Sequence, residues 1–409
     1  MIGTSIRSSF GILILLASLS LGAEAPHVHN SAEPVHGLQT MQLEEMWRAG
    51  GPDDEDTLFG HVVRVLGDEQ GHTYVLDAQL QKVNVYGPDG SLINVLFGDG
   101  EGPGELRFAM DLVLLPDDEV GAVRRFPGGM VLVKTDGTPV GTLGSNKPGR
   151  AFAAAAYGGG HLVLAEVESI EHDDGTHTRQ SRLGPINEKG ERLATCLQSD
   201  RHVDYQNNFT FDERQALVDF LYSFDVGPDG RIYALADADR YAIHVFAPDG
   251  TLERVIEREY EPRRRTDEEM KRIEALVERR LRTFPFDKTI VLAETMAVVP
   301  WFYRGIQVTD DGSLWVRHAR SGELGRQHDA LIVFDVFDPA GHFDRQVAVP
   351  VEGNDLTTGV FLVGDDRLVV VRGFVDAMRS VVGGGQGSLD AEDAEPDPVE
   401  VICYRINRR

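Results

Sequence analysis

Aromatic and arginine side chains occur together in the chain, and this combination suits ligand binding. The groups are Trp301-Phe302-Tyr303-Arg304, Arg317-His318-x-Arg320 and the pair Arg124-Arg125. Rings and guanidinium groups together can hold a carboxylate, a sugar or a peptide. The alternative is packing between structural units, with the arginines in structural ion pairs. The candidate binding residues are therefore Arg124, Arg125, Trp301, Tyr303, Arg304, Arg317, His318 and Arg320.

Side chains that can ligate a metal are scattered along the chain without a recognisable motif. His161, Glu166, His244 and His318 would form a site only if the fold brought them together. The segment Glu171-His172-Asp173-Asp174-x-x-His177 matches no established metal site, and a solvated loop is the alternative. No Ser-His-Asp order or nucleophile elbow stands out.

A His-rich tract contains His27, His29 and His36. Such a tract can bind metal, and the alternative is a disordered tail over residues 26–40. No cofactor is predicted, and a bound metal ion remains open as a prediction.

A repeated β-rich unit must position these residues, and its clearest copy spans residues 61–106. Tyr74-Val75-Leu76 leads to Asp77, then Val83, Val85 and Tyr86 alternate with polar residues. Pro88-Asp89-Gly90 turns the chain into a further apolar run. A meander of this kind cannot bury both faces alone and needs stacked neighbours.

Weaker copies follow to the C-terminus. Two of them use the turns Pro248-Asp249-Gly250 and Asp338-Pro339-Ala340-Gly341, two more turn at 134–137 and 187–190, and a sixth begins near Val360. Residues 41–47 look like a lone strand that completes the last unit and closes the ring. The sequence therefore predicts an all-β fold over 41–409: a single six-bladed β-propeller of four-stranded antiparallel blades.

Two insertions interrupt this pattern. Thr266-Asp267-Glu268-Glu269 is a capping box, so a helical insertion is predicted at 262–285, between blades 4 and 5. Its basic face could dock a partner, or the helix could pack against its own propeller. A flexible acidic loop is predicted at 383–398.

Charge and the N-terminal residues restrict location and partners. The net charge of −26 argues against nucleic acid and anionic membrane surfaces. Residues 1–25 have the charged, apolar and small-residue order of a signal peptide, and the apolar part is too short for membrane insertion. We expect an exported monomer, periplasmic or extracellular. Cys196 and Cys403 fall in the third and sixth units, too far apart for a disulfide.

The first unit resembles a known family. Gly71-x-x-Tyr74-Val75-x-Asp77, the turn Tyr86-Gly87-Pro88-Asp89-Gly90 and the link at 97–106 (FGDGEGPGEL) look like those of the bacterial secreted six-bladed β-propellers related to NHL repeats. The resemblance implies an exported propeller. That family carries no common catalytic set, so it implies no functional residues.

The spacing of the turns distinguishes the two faces of the predicted propeller. The short hairpins fall on one face, here called the short-hairpin face. The long segments 171–179, 199–215, 261–288, 318–329 and 373–398 fall on the other, here called the loop-rich face. Insertions collected on one face commonly mark the binding face. The sequence predicts a non-catalytic propeller that binds a protein, peptide or glycan there. The alternative is a metal-dependent lyase or lactone hydrolase at the channel mouth.

Overall fold

The computed structural model of the chain describes residues 25–54, 57–144, 149–205, 209–216, 223–282, 287–300, 304–374, 377 and 398–407. Residues 1–24 of the predicted signal peptide and 383–397 of the predicted acidic loop lie outside the described residues. Trp301 and Tyr303 also lie outside them.

Six sheets, each built on an antiparallel meander, follow one another along the chain and confirm the six-bladed β-propeller. In the first three blades the strands pair in sequence order as four-stranded meanders, with the first strand innermost. The strands are β4 (Val62–Gly67), β5 (Thr73–Asp77), β6 (Lys82–Tyr86) and β7 (Leu92–Leu96) in blade 1; β8 (Ala109–Leu115), β9 (Glu119–Arg124), β10 (Gly129–Lys134) and β11 (Pro139–Leu143) in blade 2; β12 (Arg150–Gly158), β13 (His161–Glu171), β14 (His177–Ile186) and β15 (Leu197–Val203) in blade 3.

The last three blades each recruit an outer strand from the N-terminal segment. These strands are β17 (Phe224–Val226), β18 (Ile232–Leu235), β19 (Ala242–Phe246), β20 (Leu252–Arg258) and β1 (His27–Asn30) in blade 4; β22 (Ile306–Val308), β23 (Leu314–Val316), β24 (Ile332–Phe337), β25 (Phe343–Val349) and β2 (Leu38–Thr40) in blade 5; β26 (Gly359–Val363), β27 (Arg367–Arg372), β28 (Glu400–Ile406) and β3 (Leu43–Gly50) in blade 6.

The apolar core lies between neighbouring blades. Val75 packs with Phe361 between blades 1 and 6, and Leu76 packs with Leu112 between blades 1 and 2. Similar layers join the other neighbours around the ring. Because neighbouring blades cover both faces of a sheet, a strand in its middle can be buried on both sides. Every residue of β24 (Ile332–Phe337) is buried.

The prediction of a disordered tail over 26–40 is wrong. β1 pairs in parallel with β20, and β2 pairs in parallel with β25, so blades 4 and 5 gain a fifth strand. The Asn30 side chain fixes the path, because its amide donates to Glu257 O and Gly341 O while its Oδ1 accepts from Phe343 N–H. β3 then closes blade 6 against β28, as predicted.

The insertions of blades 3 and 4 pack on each other. The loop predicted at 171–179 is reduced to 172–176, because β13 and β14 extend as a long hairpin. Helix α2 (Asp267–Leu281) lies within the predicted insertion, and both hydrogen bonds of its capping box are formed. Its Val277 and Leu281 pack against Val203 and Phe209. The remaining elements are β16 (Phe209–Asp212), β21 (Lys288–Val291), α1 (Glu213–Ala216) and α3 (Ser321–Gln327).

Helix α2 thus follows the second interpretation, packing against its own chain. Its neighbouring arginines are also engaged: Arg263 pairs with Glu269 and Glu323, and Arg265 pairs with Glu213. Among the described residues, no helix combines the length and apolar character that crossing a membrane requires. Cys196 and Cys403 are unbridged.

Candidate functional site

The innermost strands bring a buried charge cluster to the propeller axis. Arg304 Nη1 lies 2.8 Å from Asp111 Oδ2, and Arg64 Nε lies 3.5 Å from Asp111 Oδ1. Asp225 Oδ1 is 3.9 Å from Arg304 Nη2. The Asp111 carboxylate also accepts from Ala155 N–H. Arg304 therefore takes part in an ion cluster that joins several blades. Of the two interpretations of this candidate, its contacts correspond to a structural ion pair rather than to ligand binding.

Arg317 and His318 also lie in the interior. Arg317 donates to Thr358 O at 3.0 Å and to Asp355 O at 2.7 Å, so it links blade 5 to the segment before blade 6. His318 is 3% exposed, and its Nε2 is 3.4 Å from Asp335 Oδ2.

Asp335 is the centre of this second buried cluster. It accepts from Tyr241 Oη–H and the Gln346 amide, both at 2.9 Å, and pairs with Arg258. Burial raises the pKa of Asp335, but His318, Arg258 and the Gln346 amide together hold that pKa below its ordinary value. The Asp335 carboxylate therefore connects blades 4 and 5 through buried polar contacts. His318 belongs to this structural cluster.

Arg320 lies further out on the loop-rich face. Its Nη1 is 3.0 Å from Glu261 Oε2, and its Nε is 3.2 Å from Glu323 Oε2. Among the described residues, the candidates Arg304, Arg317, His318 and Arg320 are thus committed to contacts within the chain.

The described part of the chain does not bring the possible metal ligands together at the axis. His161 begins a second strand, β13, and His244 lies in a third strand, β19, so neither faces the channel. Glu166 is 1% exposed and pairs with Arg150, Arg182 and Arg192. These residues give the lyase or hydrolase alternative no site in the described ranges.

The loop-rich face above blades 1 and 2 carries exposed apolar side chains. Leu58 is 70% exposed, Leu80 39%, Phe108 62% and Phe126 50%. Phe108 and Phe126 are the phenylalanines among the large apolar side chains that are exposed in the described ranges. We refer to Leu58, Leu80, Phe108, Arg124, Arg125 and Phe126 as the blade 1–2 surface.

Backbone contacts join the loops of this surface to one another. Arg125 N–H donates to Phe108 O at 3.0 Å, which places the blade 2 loop beside the link that enters the blade. Ala109 N–H donates to the Gln81 side chain at 3.2 Å, which joins that link to the blade 1 loop. The surface is therefore continuous across both blades.

Asp77 anchors the blade 1 part of the surface. Its fully buried carboxylate accepts the backbone N–H groups of Gly60, His61, Gln79 and Leu80 at 2.6–3.0 Å. These bonds tie the loop that carries Leu80 to the segment that follows Leu58. Asp77 is the aspartate of the repeat motif, so the motif fixes the loops that form the surface.

Phe108 adopts a backbone conformation that bulky residues seldom take. Its φ is +55°, in the left-handed region that is disfavoured for residues with a branched or aromatic side chain. The bond from Arg125 N–H holds this conformation. The conformation brings the Phe108 ring no compensating burial, since the side chain remains exposed.

Positive charge borders the apolar side chains. The Arg125 guanidinium lies 5.6 Å from the centroid of the Phe126 ring, within cation–π range. Arg124 Nε donates to Pro127 O at 3.1 Å, and Arg124 forms no salt bridge with a described residue. Arg124 and Arg125 thus place two guanidinium groups next to the exposed Phe126 in a chain with a net charge of −26.

The sequence identified Arg124 and Arg125 but not their apolar neighbours. A signal was present, because Phe108, Phe126 and Leu80 stand between strand patterns, where turns usually carry small or polar residues. A glycine in a sequence often indicates a residue with positive φ. Because position 108 is a phenylalanine, the sequence did not indicate its positive φ.

Cavities also lie elsewhere in the described part of the chain, including one between two blades and one along the axis. A groove of about 770 Å³ between blades 5 and 6 is lined by Trp315, Arg345 and Gln39, among others. A cavity of about 230 Å³ opens along the axis toward the short-hairpin face, lined by Asp225 and Gln307 among others. Neither contains a residue of the blade 1–2 surface.

Comparison with known proteins identifies similar architectures. No family model matches the chain, and no curated protein matches it. A protein of Bacteroides fragilis described as exported is 11% identical, with a TM-score of 0.48, covering 93% of this chain and 100% of that chain. Regucalcin from Agrobacterium tumefaciens, a calcium-binding protein, is 12% identical, with a TM-score of 0.44 and coverage of 91% and 98%. A streptogramin B lyase is 11% identical, with a TM-score of 0.42 and coverage of 90% and 98%. The six-bladed fold rests on the strand pairing of this chain, and no activity is transferred from these proteins.

Proposed function

We propose that the chain is an exported, non-catalytic propeller that binds a peptide or protein segment on its blade 1–2 surface. The observation that carries the proposal is the exposure of Phe108 and Phe126 on two loops that a backbone hydrogen bond joins, with Arg125 beside the Phe126 ring. Aromatic side chains with arginine are the residue types most enriched at the centres of protein interfaces.

The exposed area of the two rings sets the size of the contact. A phenylalanine buries about 150–250 Å², and burial contributes about 25 cal/mol per Å². Covering the exposed parts of Phe108 and Phe126 would therefore contribute about 4–7 kcal/mol in total. Association opposes binding by about 4–15 kcal/mol, so the two rings alone are insufficient. Leu58, Leu80 and the arginines must contribute as well.

The composition of the surface indicates the chemistry of the partner. The exposed rings fit apolar side chains, and Arg124 and Arg125 fit a carboxylate close to them. A segment combining apolar and acidic residues satisfies both. The net charge of −26 opposes the approach of an acidic segment in general, so the two arginines are needed to hold it at this surface. Export is supported by the signal-like order of residues 1–25.

A phage-displayed library of random peptides tests the proposal. We expect selection on the wild-type chain to enrich peptides with apolar and acidic residues. Labelled copies of those peptides are then titrated against variants by fluorescence anisotropy. The double variant Phe108→Ser/Phe126→Ser should weaken binding at least tenfold, because the central contacts are lost. Arg124→Gln/Arg125→Gln should weaken it severalfold and reduce its salt dependence.

A matched control lies on the outer strand of blade 1. Leu92 and Ile93 are 54% and 50% exposed on β7, so Leu92→Ser/Ile93→Ser removes a similar apolar area from another surface. This variant should bind the selected peptides within twofold of the wild type. A library that enriches no peptide, or peptides that bind the Phe108→Ser/Phe126→Ser variant as well as the control, would refute the proposal.

A further inference from the structure

We propose that His27, His29 and Glu257 form a binding site for a zinc-like divalent metal ion, which fastens the N-terminal segment to blade 4. The site is independent of the blade 1–2 surface and of the function proposed for it. It is built where β1 runs parallel to β20, with His29 opposite Glu257 and His27 opposite Val255.

The strand geometry places the three side chains on one face of the sheet. Residues two apart in a strand point to the same side, so His27 and His29 project together. The possible ligand atoms of His27, His29 and Glu257 all lie within 4.8 Å of one another. Glu257 Oε2 is 3.2 Å from His27 Nδ1 and 2.8 Å from His29 Nδ1. The two imidazole rings are stacked, with centroids 5.7 Å apart.

These distances suit a tetrahedral metal ion. Bonds of about 2.0–2.1 Å from zinc to nitrogen and oxygen place neighbouring ligand atoms roughly 3.3–3.5 Å apart. The first observed separation is about 0.1–0.3 Å shorter than this and the second about 0.5–0.7 Å shorter, so side-chain rotations would admit the ion. Two imidazoles with one carboxylate favour zinc or a similar transition metal, whereas calcium and magnesium prefer oxygen ligands.

The surroundings orient the carboxylate and leave the histidines accessible. Arg240 Nη2 is 3.0 Å from Glu257 Oε1, so it holds one carboxylate oxygen while the other faces the histidines. Such a contact fixes a metal ligand from behind. The His29 side chain is 75% exposed, so an ion can enter from solvent. His244, opposite Val255 on β19, lies in the same row of the sheet and could approach the remaining coordination position.

Metal binding would connect the start of the N-terminal segment to the ring. β1 is four residues long and pairs with one neighbour, and the segment that it begins continues through β2 and β3 to close blade 6. Coordination by His27 and His29 from β1 and Glu257 from β20 would add bonds between these strands. The metal ion would then further stabilise the docking of residues 27–30, which strand pairing and Asn30 already hold.

Zinc binding by the untagged chain tests the site. After treatment with a chelator, titration with zinc chloride is followed by calorimetry, and bound zinc is counted by mass spectrometry after dialysis. We expect about one zinc per chain for the wild type. His29→Ala and Glu257→Gln should each lower the affinity at least tenfold. Calcium chloride at the same concentration should not displace the zinc.

His36→Ala is the matched control, because His36 lies in the same segment and its Nδ1 is 2.7 Å from Asp344 Oδ1. Zinc should bind this variant as it binds the wild type. Hydrogen exchange of residues 27–30 should slow on adding zinc in the wild type and His36→Ala, but not in His29→Ala. A wild-type chain that retains no zinc, or equal retention by the wild type and His29→Ala, would overturn the proposal.

Discussion

Replacing Phe108 by glycine should give a more stable chain than replacing it by alanine, the reverse of the usual order. Both variants remove the same ring, so the difference between them reports on the backbone. Alanine keeps a Cβ atom at φ +55°, whereas glycine adopts this conformation without steric conflict. The comparison therefore isolates the strain held at Phe108.

Two opposing effects set the magnitude. The left-handed conformation destabilises a residue with a Cβ atom by about 1–2 kcal/mol. Glycine is disfavoured by about 0.5–1 kcal/mol, because it has more conformational freedom in the unfolded chain. Phe108→Gly should therefore unfold with a free energy about 0.75 kcal/mol higher than Phe108→Ala, the midpoint of a difference of about 0–1.5 kcal/mol.

Leu58 supplies the control on the same surface. It is 70% exposed and is not among the described residues with positive φ. Leu58→Gly should be about 0.5–1 kcal/mol less stable than Leu58→Ala, because only the unfolded-chain effect acts there. The sign of the glycine–alanine difference should thus invert between positions 58 and 108.

Equilibrium denaturation in guanidinium chloride, followed by tryptophan fluorescence, measures the four free energies of unfolding. Both Phe108 variants should also lose affinity for the peptides selected on the wild type, because each lacks the ring. If alanine is the more stable substitution at position 108, then the backbone there is not strained.

Two further predictions concern buried charge. Asp111→Asn should lower the free energy of unfolding by about 3 kcal/mol, because Arg304 and Arg64 lose their buried carboxylate. The control Arg405→Gln removes an exposed ion pair and should change the free energy of unfolding by less than about 1 kcal/mol. Equal effects of the two substitutions in denaturation experiments would contradict the assignment of a buried cluster. Burial lowers the pKa of His61 to about 4, against a smaller opposing effect of a neighbouring carboxylate. Above pH 6.5 both the folded and the unfolded chain carry neutral His61. As the pH falls from 6.5 to about 4 only the unfolded chain binds the proton, so the wild type should lose up to about 3 kcal/mol more than His61→Gln over that range; parallel pH profiles would contradict this.

The strands that could be predicted are those with buried side chains on a regular period. Val83 and Val85 alternate with polar residues and lie in β6 as expected. β1 and β2 were missed for the opposite reason. Their side chains are largely exposed, and backbone hydrogen bonds to β20 and β25 hold them in place. A strand added to the outside of a blade needs no apolar pattern, so the sequence resembles that of a disordered tail.

The candidate site could be predicted only in part, because a ligand-binding arginine and a structural one have the same residue type. Arg304 pairs with a buried carboxylate, that of Asp111, which is 193 residues away in the chain. The pairing of such distant positions depends on the order of the blades around the ring. The left-handed conformation of Phe108 likewise depends on neighbouring loops, so no local pattern in the sequence indicated it.

The location of the proposed surface follows from what the insertions do with their apolar side chains. The long segments of blades 3 and 4 bury their apolar side chains against each other in a separate core, which contains Val203, Phe209, Val277 and Leu281. These side chains are therefore not exposed for a partner. Within the described ranges, the short loops above blades 1 and 2 find no such partner, and their apolar side chains are exposed.

Short loops are also better prepared to bind. The four backbone bonds to Asp77 hold the blade 1 loop in one conformation. A rigid loop loses little conformational entropy when a partner covers it, so more of the contact energy contributes to affinity. The most regular blades, rather than those with the largest insertions, are therefore the ones best suited to recognition.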